Sequence, residues 1–351
     1  MIRKVPKEFV LGAAMSAYQM EGAAAAGGRE PSVWEDWLRR TVPAAHRHTS
    51  DFYHHYEEDI AACAAKGIRA LSLSFSWSRI MRRDGTVNPE GLAFYDRVID
   101  ACLRHGIEPF VALYHFDLPA DLAPAGWLAP QTVEAYLRYA RLFPPLRCAC
   151  APLAHAQGSH DRGHAGVSHG AFPAGAAARA RTRRPRAAQD AHGARAGGES
   201  RIIHNATGTR GDVPTTDWDW NIFPHGLYEM LRRIHRGYRE IPLYVTETGI
   251  GLHDSCAAGV IEDDDRIDYL RQHLAAVLDA REDGVDVRGL FVWSLLDGLS
   301  WANGCDKRYG LFYVDYETGE RTPKKSADWF GDLAHSRLML TASSVSNGLL
   351  I

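Results

Sequence analysis

Between residue 9 and about residue 142 the chain alternates two textures. Short apolar runs at Phe9–Ala14, Ala70–Phe75 and Pro109–Tyr114 have the length and composition of strands buried on both faces. Between them, over Tyr53–Lys66 and Pro89–Arg104, apolar residues recur at three- and four-residue spacing, which predicts helices. Gly67 stands where a helix end needs a left-handed residue, and Gly106 follows the second helix closely. The same texture returns late: a strand at Leu243–Thr246, a helix at Asp264–Arg281 ending before Gly284, and a strand at Gly289–Ser294. Strand and helix in alternation predict parallel βα units. Gln19, Arg79, His115, Glu247 and Trp293 fall at or just beyond the C-terminal ends of these strands. In a (β/α)8 barrel that end is the rim on which active sites are built.

The middle of the chain breaks the pattern. In residues 144–200, Ala, Arg, Gly, His and Pro make up 42 of 57 positions, and Leu146, Leu153, Val167 and Phe172 are the only large apolar or aromatic residues. Too little apolar surface is present there to offset the cost of ordering the backbone into barrel strands. Five strands can be written, not eight, although closure fixes strand number, tilt and shear together. The expected fold is therefore an α/β (β/α)8 barrel, incomplete or distorted because about three central strands are not recognisable. It spans residues 1–335 as one domain interrupted by 144–200, with 336–351 as a tail.

Composition narrows the function. Of 351 residues 46% are hydrophobic, enough for a sizeable core, and a net charge of −3 argues against a general nucleic-acid or membrane-surface role. No apolar run reaches the roughly 18 residues that a bilayer-spanning helix needs. The N-terminal stretch MIRKVPKEFVLGAAMSAYQ is broken by Ser16 and Gln19 and reads as a first strand, not a signal peptide. Six cysteines without a disulfide framework suit a reducing, cytoplasmic setting.

The chemistry gathers around Leu243-Tyr-Val-Thr-Glu247-Thr-Gly249, where a carboxylate ends a buried strand just before a turn glycine. An isolated glutamate there would more often be solvated or paired with an arginine. The neighbours change that reading. Ser16-Ala-Tyr-Gln19-Met-Glu21-Gly, Ser74-Phe-Ser-Trp77-Ser-Arg79-Ile, Tyr114-His115-Phe-Asp-Leu-Pro119 and Phe291-Val-Trp293-Ser-Leu-Leu-Asp297 closely resemble, in order, motifs of glycoside hydrolase family 1. These are retaining β-glycosidases on a (β/α)8 barrel, and the resemblance covers roughly 1–142 and 200–335. It implies Glu247 as the nucleophile, although Thr248 stands where the family usually has Asn. It implies Arg79 as the cation that keeps Glu247 ionised and oriented, Gln19 and His115 as ligands of the sugar hydroxyls, and Trp293 as the indole beneath the ring. Amide and imidazole suit hydroxyl recognition because each can both donate and accept.

A second cluster, Leu299-Ser300-Trp301-Ala-Asn-Gly-Cys-Asp-Lys307-Arg-Tyr309-Gly, refines the substrate. Ordinary β-glucosidases of the family carry Glu at the position of Ser300, and a carboxylate there would repel a 6-phosphate. A hydroxyl, an ammonium and a phenol instead offer donors and a compensating charge. Ser300, Lys307 and Tyr309 resemble the signature of the 6-phospho-β-glycosidase branch, and Trp301 resembles its galactosidases. The implied partner is a phosphorylated disaccharide or other 6-phospho-β-D-galactoside or -glucoside, with no cofactor, metal, nucleic acid or membrane. A non-catalytic sugar-phosphate binder or degraded family member, and an unphosphorylated β-glucosidase, remain as alternative readings. Nicotinamide chemistry is not expected, because no G-x-G-x-x-G follows a strand.

One element is missing. A retaining glycosidase needs two carboxyl groups about 5–5.5 Å apart, one of them acting as acid and then base. The family carries that residue in Asn-Glu-Pro, a tripeptide absent from this sequence. Its place would be shortly after Tyr139–Phe143, where the biased interval begins. Three other patterns in that interval fit known sites poorly. Gly166-Val-Ser168-His-Gly170 lacks the strand that a nucleophile elbow requires. Cys148 and Cys150 with His155 and His160 match no zinc spacing, and Arg179–Arg186 is a short basic run. Family-like text resumes near Glu199. A GC-rich gene read out of frame across the interval, together with a deletion, would give this composition. Translating the coding DNA in its other frames is expected to restore strand-like text with Asn-Glu-Pro; failure to find it sinks the idea.

Overall fold

The computed structural model describes residues 2–143, 213–218, 220–238, 241–256 and 259–340. The interval motifs at 148–186 lie outside the described residues, as do residues 341–351. The chain divides into two compact units, Met1–Ser168 with Phe223–Ile351, and His169–Ile222. In the second, the described residues form a turn closed by an antiparallel bridge between Thr215 and Asn221.

In chain order the elements are β1 (Ile2–Lys4), β2 (Val10–Ala14), α1 (Ala17–Met20), α2 (Glu35–Thr41), α3 (Phe52–Ala65), β3 (Ala70–Ser74) and α4 (Trp77–Ile80). There follow α5 (Pro89–Arg104), β4 (Glu108–Ala112), α6 (Pro130–Ala140), α7 (Pro224–Gly237) and β5 (Leu243–Thr248). The chain continues with α8 (Asp264–Glu282), β6 (Val287–Trp293), β7 (Phe312–Val314), β8 (Arg321–Pro323), α9 (Lys325–Ser336) and β9 (Leu338–Leu340). All five strands anticipated from the apolar runs form, and they make one parallel sheet in the order β4-β3-β2-β6-β5. Gly67 ends α3 at φ +77°, as its position requires, and a Cβ there would lie 2.1 Å from the His335 ring. At the edge of the unit, Leu338–Leu340 pairs antiparallel with Ile2–Lys4.

Alternation along each strand splits the sheet into two faces. Leu11, Ala13, Leu71, Leu73, Val111, Leu290 and Val292 point outward into the main core. There they meet Ile60 of α3, Phe94 and Val98 of α5, and Leu270, Leu274 and Val277 of α8. Ala14, Ala70, Phe110 and Phe291 point the other way and form a separate cluster, with Val10, Tyr244 and Trp293 against it. Phe291 sits directly over Gly12, where a Cβ would come within 2.4 Å of the ring.

The sheet is curled around that inner cluster. β4 and β5 are its two edges, yet Phe110 and Tyr244 have ring centroids only 5.6 Å apart, and Phe110 meets Phe291 edge-on at 4.8 Å. Three aromatic rings thus meet on the concave face and bring β4 and β5 toward one another across it. Phe291→Ala is expected to lower the unfolding free energy by about 3–5 kcal/mol, because the ring is fully buried against Phe110 and Gly12 and its removal leaves a cavity. Denaturant titration against wild type measures this; a loss below about 1 kcal/mol would show that the interior is not holding the sheet.

Candidate active site

The rim of the curled sheet gathers most of the anticipated residues. Glu247 ends β5 where the pairing with β6 becomes irregular between Val245 and Thr248, a distortion that re-aims side chains. Thr248 is buried and returns to register opposite Val292. Gly249 then passes beneath β6 so closely that a Cβ would lie 1.8 Å from the Trp293 carbonyl oxygen, so no other residue fits. His115, just beyond β4, places Nδ1 3.6 Å from Glu247 Oε1. The His115 ring also stacks on Trp293 at 5.5 Å and 10°. A carboxylate, an imidazole and an indole from three strands therefore share one small region.

Burial pushes the Glu247 carboxyl up to about 7, although 44% of its side chain remains exposed. The anticipated remedy is absent. Arg79 does not pair with Glu247; its Nε donates to Glu21 Oε2 at 3.0 Å, and a terminal nitrogen donates to the Ala26 carbonyl at 3.1 Å. The turns following β2 and β3 are neighbours, which brings Arg79 and Glu21 together. Glu21, which the sequence reading passed over inside its own motif, is the buried partner, and Tyr95 donates to its other oxygen at 2.6 Å.

Gln19 is buried and anchored. Its amide nitrogen donates to the Leu299 carbonyl at 2.6 Å and its oxygen accepts from Ser16 Oγ at 2.7 Å, while Leu299 N–H donates to the Gln19 carbonyl at 2.9 Å. This ties the turn after β2 to the loop carrying Ser300. Trp301 stacks with Tyr18 at 5.6 Å and with Trp34 at 4.3 Å. Ser300 is buried, its hydroxyl 3.4 Å from Asn303 Oδ1 and within hydrogen-bonding reach of the Tyr309 phenol. Lys307 is fully buried, with Nζ 5.4 Å from the Tyr309 ring centroid. Its stem lies across Gly251, whose absent Cβ would meet it at 2.5 Å. Burial lowers the Lys307 ammonium to about 8, and burial with Tyr269 nearby raises the Tyr309 phenol, which stays a donor at neutral pH. Among the described residues no group of three or more His, Cys, Asp or Glu could hold a metal ion, and no helix is long and apolar enough to cross a membrane.

The sequence profile described as glycosyl hydrolase family 1 matches residues 1–146 and 181–339. The chain belongs to that family of O-glycosyl hydrolases. It is 32% identical to the 6-phospho-beta-galactosidase of Clostridium acetobutylicum, across 97% of this chain and 98% of the relative. It is 34% identical to 6-phospho-beta-galactosidase 1 of Streptococcus pneumoniae, across 93% and 97%. The Clostridium alignment runs over 468 positions against 351 residues here, so a long stretch of that relative faces no residue of this chain. Among solved structures, the psychrophilic beta-glucosidase of Micrococcus antarcticus superposes with a TM-score of 0.74 at 28% identity, covering 95% of this chain and 98% of that one. A family 1 beta-glucosidase from Thermotoga maritima gives 0.75 at 25%, covering 97% and 100%. The fold is accordingly that of the (β/α)8 glycosidases, and the curled five-stranded sheet is the described part of the barrel.

Another buried carboxyl went unnoticed in the sequence. Asp117, two residues after His115, is 1% exposed, and neither of its oxygens meets a donor at full hydrogen-bond geometry. Burial pushes it up to about 7, against smaller opposing effects of the Ser76 hydroxyl and Arg29. In the unfolded chain the same group ionises near about 4. Between those values only the unfolded state releases the proton, so stability falls as pH rises from about 4 to 7. Asp117→Asn mimics the neutral acid and is expected to be more stable than wild type at pH 8, by up to about 4 kcal/mol, and comparable at pH 4. Denaturant unfolding at the two pH values tests this; equal destabilisation at both would refute it.

Proposed function

We propose that this chain is a 6-phospho-β-glycosidase by construction, with Glu247 as the nucleophile and no acid/base partner. The observation that carries the substrate class is the buried cluster of Ser300, Lys307 and Tyr309, which brings together a hydroxyl, an ammonium and a phenol suited to a dianion. The relatives named 6-phospho-beta-galactosidase support the same reading. Gln19, His115 and Trp293 then line the sugar.

Glu247 acts as nucleophile only when ionised, so attack at the anomeric carbon strengthens as pH rises through about 7. The aglycone must then leave as an anion, since no carboxylic acid protonates it. Losing the acid costs typically about 10²–10⁴-fold for poor leaving groups and much less for nitrophenolate-like ones. The same residue would have served as base for the water that releases the sugar, so the second step is slowed too. A glycosyl ester on Glu247 is the species that accumulates.

Incubation with a nitrophenyl 6-phospho-β-galactoside is expected to give a burst of about one nitrophenol per chain. Intact mass spectrometry should show a covalent 6-phosphogalactosyl adduct that is lost in Glu247→Gln. Robust turnover of lactose 6-phosphate would overturn the missing-acid reading. Faster reaction of the unphosphorylated aryl glucoside would overturn the phosphate reading. A ligand-induced rise in melting temperature without any burst would leave a sugar-phosphate binder.

A further inference from the structure

Arg308 lies between Lys307 and Tyr309, and its own side chain turns away from them. Its guanidinium donates to Asp297 Oδ2 at 2.7 Å and to the Val314 carbonyl at 2.8 Å, and lies over the rings of Tyr313 and Tyr316 at 4.0 and 4.6 Å. In extended backbone, residues i and i+2 share a side, which agrees with the closeness of Lys307 to Tyr309. The orientation of that pair therefore depends on how the Arg308 backbone is held. Arg308 N–H donates to the Leu252 carbonyl at 3.1 Å, and the Arg308 carbonyl accepts from Leu252 N–H at 2.9 Å. A second donor reaches the same carbonyl: a terminal nitrogen of Arg266, from the first turn of α8, at 2.9 Å.

Arg266 is itself immobilised. It is fully buried, paired with Asp254 at 2.8 Å and with Asp263. Asp263 also accepts from Ser326 N–H at 2.8 Å and from the Ser326 hydroxyl at 2.6 Å. Lys324 joins Asp254 to Asp297, meeting the latter at 2.7 Å. Asp297 closes the circuit by accepting from Gly310 N–H at 2.8 Å. Three carboxylates and three cations are thus matched inside the protein, and the network grips residues on both sides of Tyr309.

We propose that Arg266 is a positioning residue for phosphate recognition, setting Lys307 and Tyr309 through the Arg308 carbonyl. The proposal rests on the phosphate-site reading above. A network that served stability alone would affect every ligand alike, whereas one that aims Lys307 and Tyr309 affects the phosphorylated ligand selectively. Arg266→Lys keeps a buried positive charge for Asp254 and Asp263 but cannot hold three acceptors in a fixed fork.

Titration calorimetry with galactose 6-phosphate and with galactose provides the test, on full-length wild type and variant. Wild type is expected to prefer the phosphorylated sugar. Arg266→Lys should lose at least about 10-fold of that preference while galactose affinity is unchanged. Equal weakening of both ligands, or a preference left intact, overturns the positioning role. If wild type shows no preference, the phosphate-site reading falls and this proposal falls with it. Should Arg266→Lys fail to fold by circular dichroism, Arg308→Lys, which loosens the same segment through Asp297, is held to the same outcomes.

Discussion

The contact on which the rest depends is the meeting of Phe110, Phe291 and Tyr244 inside the curled sheet. A flat five-stranded sheet would hold the ends of β4 and β5 about four strand spacings apart, roughly 19 Å at the usual interval. Filling the concave face with three large rings brings those edges together, with Phe110 and Tyr244 at 5.6 Å. The approach of His115 to Glu247, and its stack on Trp293, follow from that curvature. Curvature in turn requires small residues beneath the rings, and Gly12 under Phe291 and Gly249 under the Trp293 carbonyl supply them. Burial of apolar rings thus determines which polar groups can meet at the rim.

The strands could be read from the sequence because a strand buried on both faces leaves a local mark: a short apolar run bounded by polar or glycine residues. Val10–Ala14 and Leu290–Trp293 carry it most clearly. Individual candidates such as Glu247 and Lys307 could be read because they sit in motifs. What escaped was pairing between segments. The buried pairing of Arg79 with Glu21, between the turns after the neighbouring strands β3 and β2, left no mark in either motif. Asp117 escaped because no property of Tyr114–Pro119 indicates that its carboxyl is sealed off.

The ion network is the clearest case of structure invisible to local reading. Its members lie at 254, 263, 266, 297, 308 and 324, with no spacing in common, and each alone looks like an ordinary surface charge. Burying charges costs several kcal/mol each unless partners compensate them, so such a cluster persists only when complete. Its position, flanking Tyr309 on both sides, places that cost at the segment that carries Lys307 and Tyr309. The rim therefore has two differently built halves. Aromatic packing orders the part near Glu247, and matched charge orders the part near Lys307.

The sheet order carries a further consequence. β2, β3 and β4 form one arm and β6 and β5 the other, joined where β2 lies against β6, so distance along the chain maps onto distance around the sheet. In such a winding, any alteration confined to the chain between β4 and β5 can reach only two strand edges. Every other strand keeps both of its original neighbours. Lesions in a sequentially wound barrel are thus local in space because they are local in sequence, and an enzyme of this architecture can lose one catalytic group while the far side of its site goes on being built as before.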